Sequence, residues 1–175
     1  MKPSPFIFLV VIIAGIISSC IQKKDEAGGN NIDSKKQISA MLDSFNIAAA
    51  NADYDKYFNF YTEDATFNGT DATENWDKKA FMVWAKPYFD KKTTWNFTAL
   101  QRNIYFGKYA DIAWFEERLS TQMKICRGSG VVSKQDGRWK VRQYVLSTSV
   151  PNSILDSVIS LKTVEEDSIM RTLKP

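Results

Sequence analysis

Glu117 lies in the run Ala113-Trp114-Phe115-Glu116-Glu117-Arg118-Leu119. Strand alternation puts Phe115, Glu117 and Leu119 on one face and Trp114, Glu116 and Arg118 on the other. A carboxylate on the more apolar face loses its hydration when buried. Its pKa then rises, which makes Glu117 a candidate general base. Arg127, on the following strand, is the expected counter-charge, and a purely structural ion pair is the alternative to catalysis. Such a pair at the floor of a pocket could also hold a polar or anionic ligand. Arg127, Gln143 or a tyrosine could polarise a carbonyl beside the base. Histidine is absent from the whole chain. That excludes histidine-dependent triads, histidine zinc ligands and the commonest general base, and neither a metal nor an organic cofactor is expected. Cys126 has no histidine to activate it and reads as a small core residue. Arg127-Gly128-Ser129-Gly130 lacks the Lys-Ser/Thr that completes a phosphate loop and precedes a strand rather than a helix. Gly128 and Gly130 share one face, where a helix approaches closely or the strand bulges, and Arg127 and Ser129 face the other way.

Cys20 implies a different chemistry. Residues 6–17 are an unbroken apolar run, too short to span a bilayer as a helix and of signal-peptide length. Ile17-Ser18-Ser19-Cys20 follows and resembles the lipobox of bacterial lipoproteins. That resemblance implies diacylglycerol on the Cys20 sulfur, cleavage before Cys20 and acylation of the new amino group. Acyl chains anchor a protein through their buried methylenes. Residues 1–19 are then a signal peptide and 20–34 a polar, Gly/Asn-rich flexible tether. Position 21 is Ile rather than Asp, so nothing resembles an inner-membrane retention signal. The expected location is the bacterial cell envelope, at the outer membrane, facing the periplasm or the surface.

The remaining residues make one domain (35–152) and a helical tail (153–175). Net charge is only +3, which supplies no basic stripe for nucleic acid. Ile38, Met41, Leu42, Phe45 and Ala48 or Ala49 carry helical spacing, with Ser34 as N-cap. Residues 54–61 read as a short second helix ended by Thr62-Glu63-Asp64, and Ala65-Thr66-Phe67 as a brief strand before the Asn68-Gly69 turn. Residues 75–90 read as a third helix with Phe81, Val83, Trp84, Tyr88 and Phe89 on its apolar face, its last turn kinked or shortened by Pro87. From Trp95 the period changes to that of strands: a long first strand ending at Gly107, then 112–123, 126–133 and 138–149. Asp136-Gly137 is a two-residue hairpin turn. Helices followed by a meander argue for an α+β fold, in which a curved antiparallel sheet wraps the helices.

The stretch Tyr61-Thr62-Glu63-Asp64-Ala65-Thr66-Phe67 resembles the entry into the first strand of the nuclear transport factor 2-like superfamily. Asp136-Gly137-Arg138-Trp139-Lys140-Val141-Arg142-Gln143-Tyr144 resembles its final hairpin. Ala113-Trp114-Phe115-Glu116-Glu117 and Arg127-Gly128-Ser129-Gly130-Val131 are similar to the SnoaL-like branch. The resemblance spans residues 35–155. It implies a cone-shaped α+β barrel (a cystatin-like roll) with N-terminal helices on a curved sheet, a pocket between them and usually a homodimer. Related chains often carry histidines in the last strand, where this one has Gln143 and Val145 before Ser147.

By that resemblance the Gln143 face of the last strand, with Ser147, lines the concavity. Arg127 and Ser129 join it as ligand-binding positions, and Tyr57, Tyr61 and Trp84 close the pocket from the helices unless they are core. The superfamily holds both enzymes and noncatalytic binders, so fold leaves function open. The expected function is a lipid-anchored envelope protein that binds a small, partly apolar ligand. The alternatives are a SnoaL-like isomerase, cyclase or hydratase with Glu117 as base, and an envelope subunit that binds a protein partner through the outer sheet face.

Overall fold

A computed structural model describes residues 26–108 and 111–173; the expected signal peptide and Cys20 lie outside them. Helix α1 (Glu26–Ala50) turns Ser34, Ile38, Leu42, Phe45, Ala48 and Ala49 inward, as its periodicity predicts. It begins earlier than expected. Residues 26–34 are helical rather than a flexible tether, and Ser34 is a buried interior residue, not an N-cap. Its C-terminus closes through Ala52, whose φ is 53°, with Ala52 N–H donating to Ala49 O and Asp53 N–H to Ala48 O. Asp53 then caps α2 (Tyr54–Asn59) by accepting from Lys56 N–H at 3.2 Å.

Strand β1 (Tyr61–Asn68) starts where the sequence suggested the end of a helix. Thr62, Glu63 and Asp64 are therefore strand residues, and Asp64 pairs with Arg142 at 2.8 Å. After β2 (Asn75–Asp77), Asp77 caps α3 (Lys78–Asp90). This helix buries Phe81, Ala85 and Phe89, spaced four apart, and leaves Val83 and Tyr88 exposed, so its apolar face is rotated from the expected one. Four long strands follow: β3 (Thr98–Phe106), β4 (Ile112–Thr121), β5 (Lys124–Gln135) and β6 (Arg138–Thr148). Asp136 and Gly137 both have positive φ (49° and 76°), as a type I′ hairpin turn requires.

The strands form one sheet in the order β2-β1-β6-β5-β4-β3. It is mixed rather than wholly antiparallel, because β1 returns from the helical half of the chain to pair parallel with β6. Helices α1–α3 cover one sheet face, and the core between them is largely aromatic. After a short 3-10 turn (Asn152–Ile154), α4 (Leu155–Thr172) buries no residue. No described helix is long and apolar enough to cross a membrane.

Two bulges decide which side chains enter the cone. In β6, Val141 pairs with Val132 and Gln143 with Val131, so Arg142 is an extra residue. Trp139 and Val141 point inward before it, and Tyr144 and Leu146 after it. In β3 the register skips Leu100, which is exposed, and Arg102 and Ile104 then turn toward α1.

Candidate functional site

The interior polar centre is built around Glu117. Alternation on β4 turns Ala113, Phe115, Glu117 and Leu119 inward, and the Glu117 side chain has 0% exposure. Arg102 stands directly across the β3–β4 register and donates from Nε to Glu117 Oε2 at 2.8 Å. Tyr144 Oη donates to Glu117 Oε1 at 2.9 Å. Arg102 Nη1 also reaches α1, donating to Ser39 O at 3.0 Å, Ser39 Oγ at 2.9 Å and Asp43 Oδ1 at 2.8 Å. One carboxylate thus ties β4, β3, β6 and α1 together. Burial opposes the Arg102 charge, but the Glu117 and Asp43 carboxylates outweigh it and hold its pKa above the ordinary value. Burial, reinforced by the Glu117 charge, pushes the Tyr144 phenol well above its usual range.

Two neighbouring glycines leave room for this centre. A Cβ on Gly128 would run into Tyr144 Oη and lie 3.0 Å from Glu117 Cγ. A Cβ on Gly130 would meet the Phe115 ring at 2.9 Å and collide with the Gln143 carbonyl of the β6 bulge. The expected helix approach is absent and the bulge is on β6, not on the glycine strand; the approaching groups are side chains and the β6 backbone.

The partner of Glu117 is therefore Arg102, not Arg127. Arg127 and Ser129 lie on the outer sheet face, away from the helices. Gln143 and Ser147 share that side, because the Arg142 bulge reverses the phase of β6; the concave residue is Tyr144. Register aligns Gln101, Arg118, Arg127 and Ser147 in one row across four strands. Arg127, Ser129 and Ser147 line an open polar cleft there with Asn103, Glu116 and Arg118. Tyr57 and Tyr61 are core residues at 1% exposure, their hydroxyls 3.1 Å apart, and burial raises both phenol pKa values. Cys126 is buried.

Trp84 alone of the expected ligand-binding residues borders an apolar cavity. That cavity, of about 140 Å³, opens between α3, the β1–β2 turn, the segment entering β3 and the β4–β5 hairpin. Phe67, Phe81, Trp84, Trp95, Phe97, Met123 and Leu146 form its walls, with Thr70, Glu74 and Gln122 supplying side-chain polarity. Phe67 and Phe81 stack at 4.1 Å with planes 4° apart, and Phe81 and Trp95 follow at 6.0 Å and 21°. The sequence signal was partial: Phe67, Phe81, Trp84 and Phe97 were visible as apolar positions, but their convergence depends on the strand order. Arg102 carried no signal until the Leu100 bulge set its direction.

The SnoaL-like domain family matches residues 38–152. The chain belongs to that family. Solved structures similar to this SnoaL-like domain agree on the fold. A nuclear transport factor 2-like protein from Pseudomonas putida shares 14% identity over 69% of this chain and 90% of its own, with a TM-score of 0.59. A proposed scytalone dehydratase from Novosphingobium aromaticivorans shares 12% over 70% and 89%, with a TM-score of 0.61. A cystatin-like fold from Nostoc punctiforme shares 16% over 66% and 90%, with a TM-score of 0.55. No curated protein matches the chain.

Proposed function

We propose that this SnoaL-like domain is a lipid-anchored protein of the bacterial cell envelope, at the outer membrane, that binds a small, mostly apolar ligand in the Trp84–Trp95 cavity without transforming it. The observation that carries the reading is the division of labour inside the cone. Glu117 has both carboxylate oxygens engaged by buried partners, and a separate cavity beside α3 is walled largely by aromatic rings. An aromatic cavity with few polar groups is the usual form of a small-molecule site. The alternative of an isomerase, cyclase or hydratase with Glu117 as base is weaker. A general base must reach its substrate proton, and Glu117 reaches Arg102 and Tyr144 instead.

Native mass spectrometry of the full chain purified from its own host tests the binding reading. The expected result is a co-purified small molecule that is lost in a Trp84→Ala variant. Mass-homogeneous apo protein that also fails to bind any apolar probe would overturn it. For the anchor, Cys20→Ala should release the protein from membranes, and a variant that still sediments with them would refute lipidation.

A second reading rests on the outer sheet face. Tyr105 and Trp114 stack there at 5.9 Å and are about half exposed, at 43% and 46%. Aromatic residues are enriched at protein interfaces, so this face suits the homodimer or an envelope partner. Trp114→Glu should then lower the sedimenting mass; an unchanged mass for a dimeric protein would exclude that face.

A further inference from the structure

We infer that the ligand of the aromatic cavity is a small organic cation, an alkylammonium head group. Five aromatic side chains (Phe67, Phe81, Trp84, Trp95, Phe97) bound the cavity, and among the described residues no lysine or arginine lines it. Among the described residues the only ionisable one in the lining is Glu74. Its carboxylate accepts a single long hydrogen bond, from Asp71 N–H at 3.3 Å, and no ion pair among the described residues engages it. A lone carboxylate beside an apolar aromatic wall loses hydration without compensation when neutral hydrocarbon covers it, and it repels anions. It is complemented by a ligand that is greasy on its outside and positive at its centre. Aromatic faces attract such a cation through their quadrupoles, most strongly when it is desolvated.

The cavity is small, about 140 Å³, and open to the surface. Local structure places the carboxylate over the β1–β2 turn. Gly69 N–H donates to Glu74 O at 2.9 Å and closes the β1–β2 turn, and Asp71 holds that turn by accepting from Thr73 N–H at 2.8 Å. A Cβ at Gly69 would occupy the place of Glu74 Oε2, so the glycine lets the carboxylate lie over the turn.

The cation class presupposes that the cavity binds a ligand at all, and the test separates the two. The full chain is held in maltoside micelles, which contain no ammonium, and followed by tryptophan fluorescence. The probes are choline and neohexyl alcohol, its uncharged isostere with carbon in place of nitrogen. Choline is expected to bind about tenfold tighter than the alcohol. Glu74→Gln should remove most of that difference while near-UV circular dichroism stays unchanged. Gly69→Ala, which displaces the carboxylate without changing any charge, should do the same. Trp84→Ala should weaken both probes. Glycerophosphocholine identifies the source: if it binds as choline does, a lipid head group is admitted, and if only choline binds, the source is a free amine; either supports the cation class. If the alcohol binds as tightly as choline, the cavity still binds and the cation assignment is wrong. If neither probe binds, the cation assignment fails; the binding reading falls with it only if the host-purified protein is also empty.

Discussion

Replacing Glu117 by Gln removes one charge from a buried centre. The Glu117 side chain is fully buried and that of Arg102 is 6% exposed. Breaking a buried ion pair by removing one partner costs about 3–5 kcal/mol, because the other charge is left uncompensated. Here Asp43 and Ser39 still accept from Arg102 Nη1, and Asp43 is half exposed. The cost therefore falls toward the lower end, about 3 kcal/mol. The amide also presents N–H donors to a pocket already filled by donors, Arg102 Nε–H and Tyr144 O–H. For a domain of this size about 3 kcal/mol corresponds to a fall in Tm of roughly 10 °C. Urea unfolding followed by circular dichroism and tryptophan fluorescence measures it. The pair is separated from general packing by a cycle with Arg102→Met and Glu117→Leu. The double variant should cost less than the two singles added, by about 2 kcal/mol or more. A Glu117→Gln protein within about 1 kcal/mol of wild type, or an additive cycle, would show that Glu117 is not the tie between sheet and α1 and would reopen its role as a reachable base.

Gly130→Ala should destabilise by about 1–3 kcal/mol and more than Gly128→Ala, because its new methyl meets the Gln143 backbone carbonyl whereas Gly128 faces the end of a side chain; denaturant midpoints decide the order. Tyr57, Tyr61 and Tyr144 have folded pKa values raised above the ordinary 10.0 by burial. The unfolded chain gives up those protons first, so stability holds below pH 10 and then falls by about 1.4 kcal/mol per pH unit for each tyrosine. The tyrosinate absorbance of these three should therefore appear together with loss of near-UV circular dichroism, and smooth titration of all tyrosines in a folded protein would contradict the burial. Deleting residues 155–175 should change domain stability by no more than about 0.5 kcal/mol, since α4 buries no residue; a larger loss would mean that the helix packs on a partner in solution.

Local pattern and local chemistry were legible in the sequence. The inward stripe of α1, the alternation that buries Phe115, Glu117 and Leu119, and the Asp136-Gly137 turn each depend on neighbours within a few residues. What was not legible depends on register. An unbroken period of two along β6 places Gln143 with Val141, and one extra residue at Arg142 puts Tyr144 there instead. The partner of Glu117 was sought on β5, where Arg127 is indeed the nearer arginine in sequence. The strand carrying Arg127 turns it outward at that register, whereas β3 brings Arg102 directly opposite. Tyr61 has a helix-compatible spacing from Tyr57, and pairing with β6 makes it a strand residue.

The polar centre and the aromatic cavity are mechanically connected. Tyr144 donates to Glu117 at one end, and its ring lies parallel to Phe67, 6.0 Å away with planes 7° apart. Phe67 in turn stacks on Phe81, and both form cavity wall. Aromatic rings pack favourably in both offset-stacked and edge-to-face arrangements. Fixing Tyr144 by a charge-assisted hydrogen bond selects one of them and so fixes the wall of the cavity. On the proposed binding reading, Glu117 would then act by holding the rings of the cavity wall in place rather than by touching the ligand.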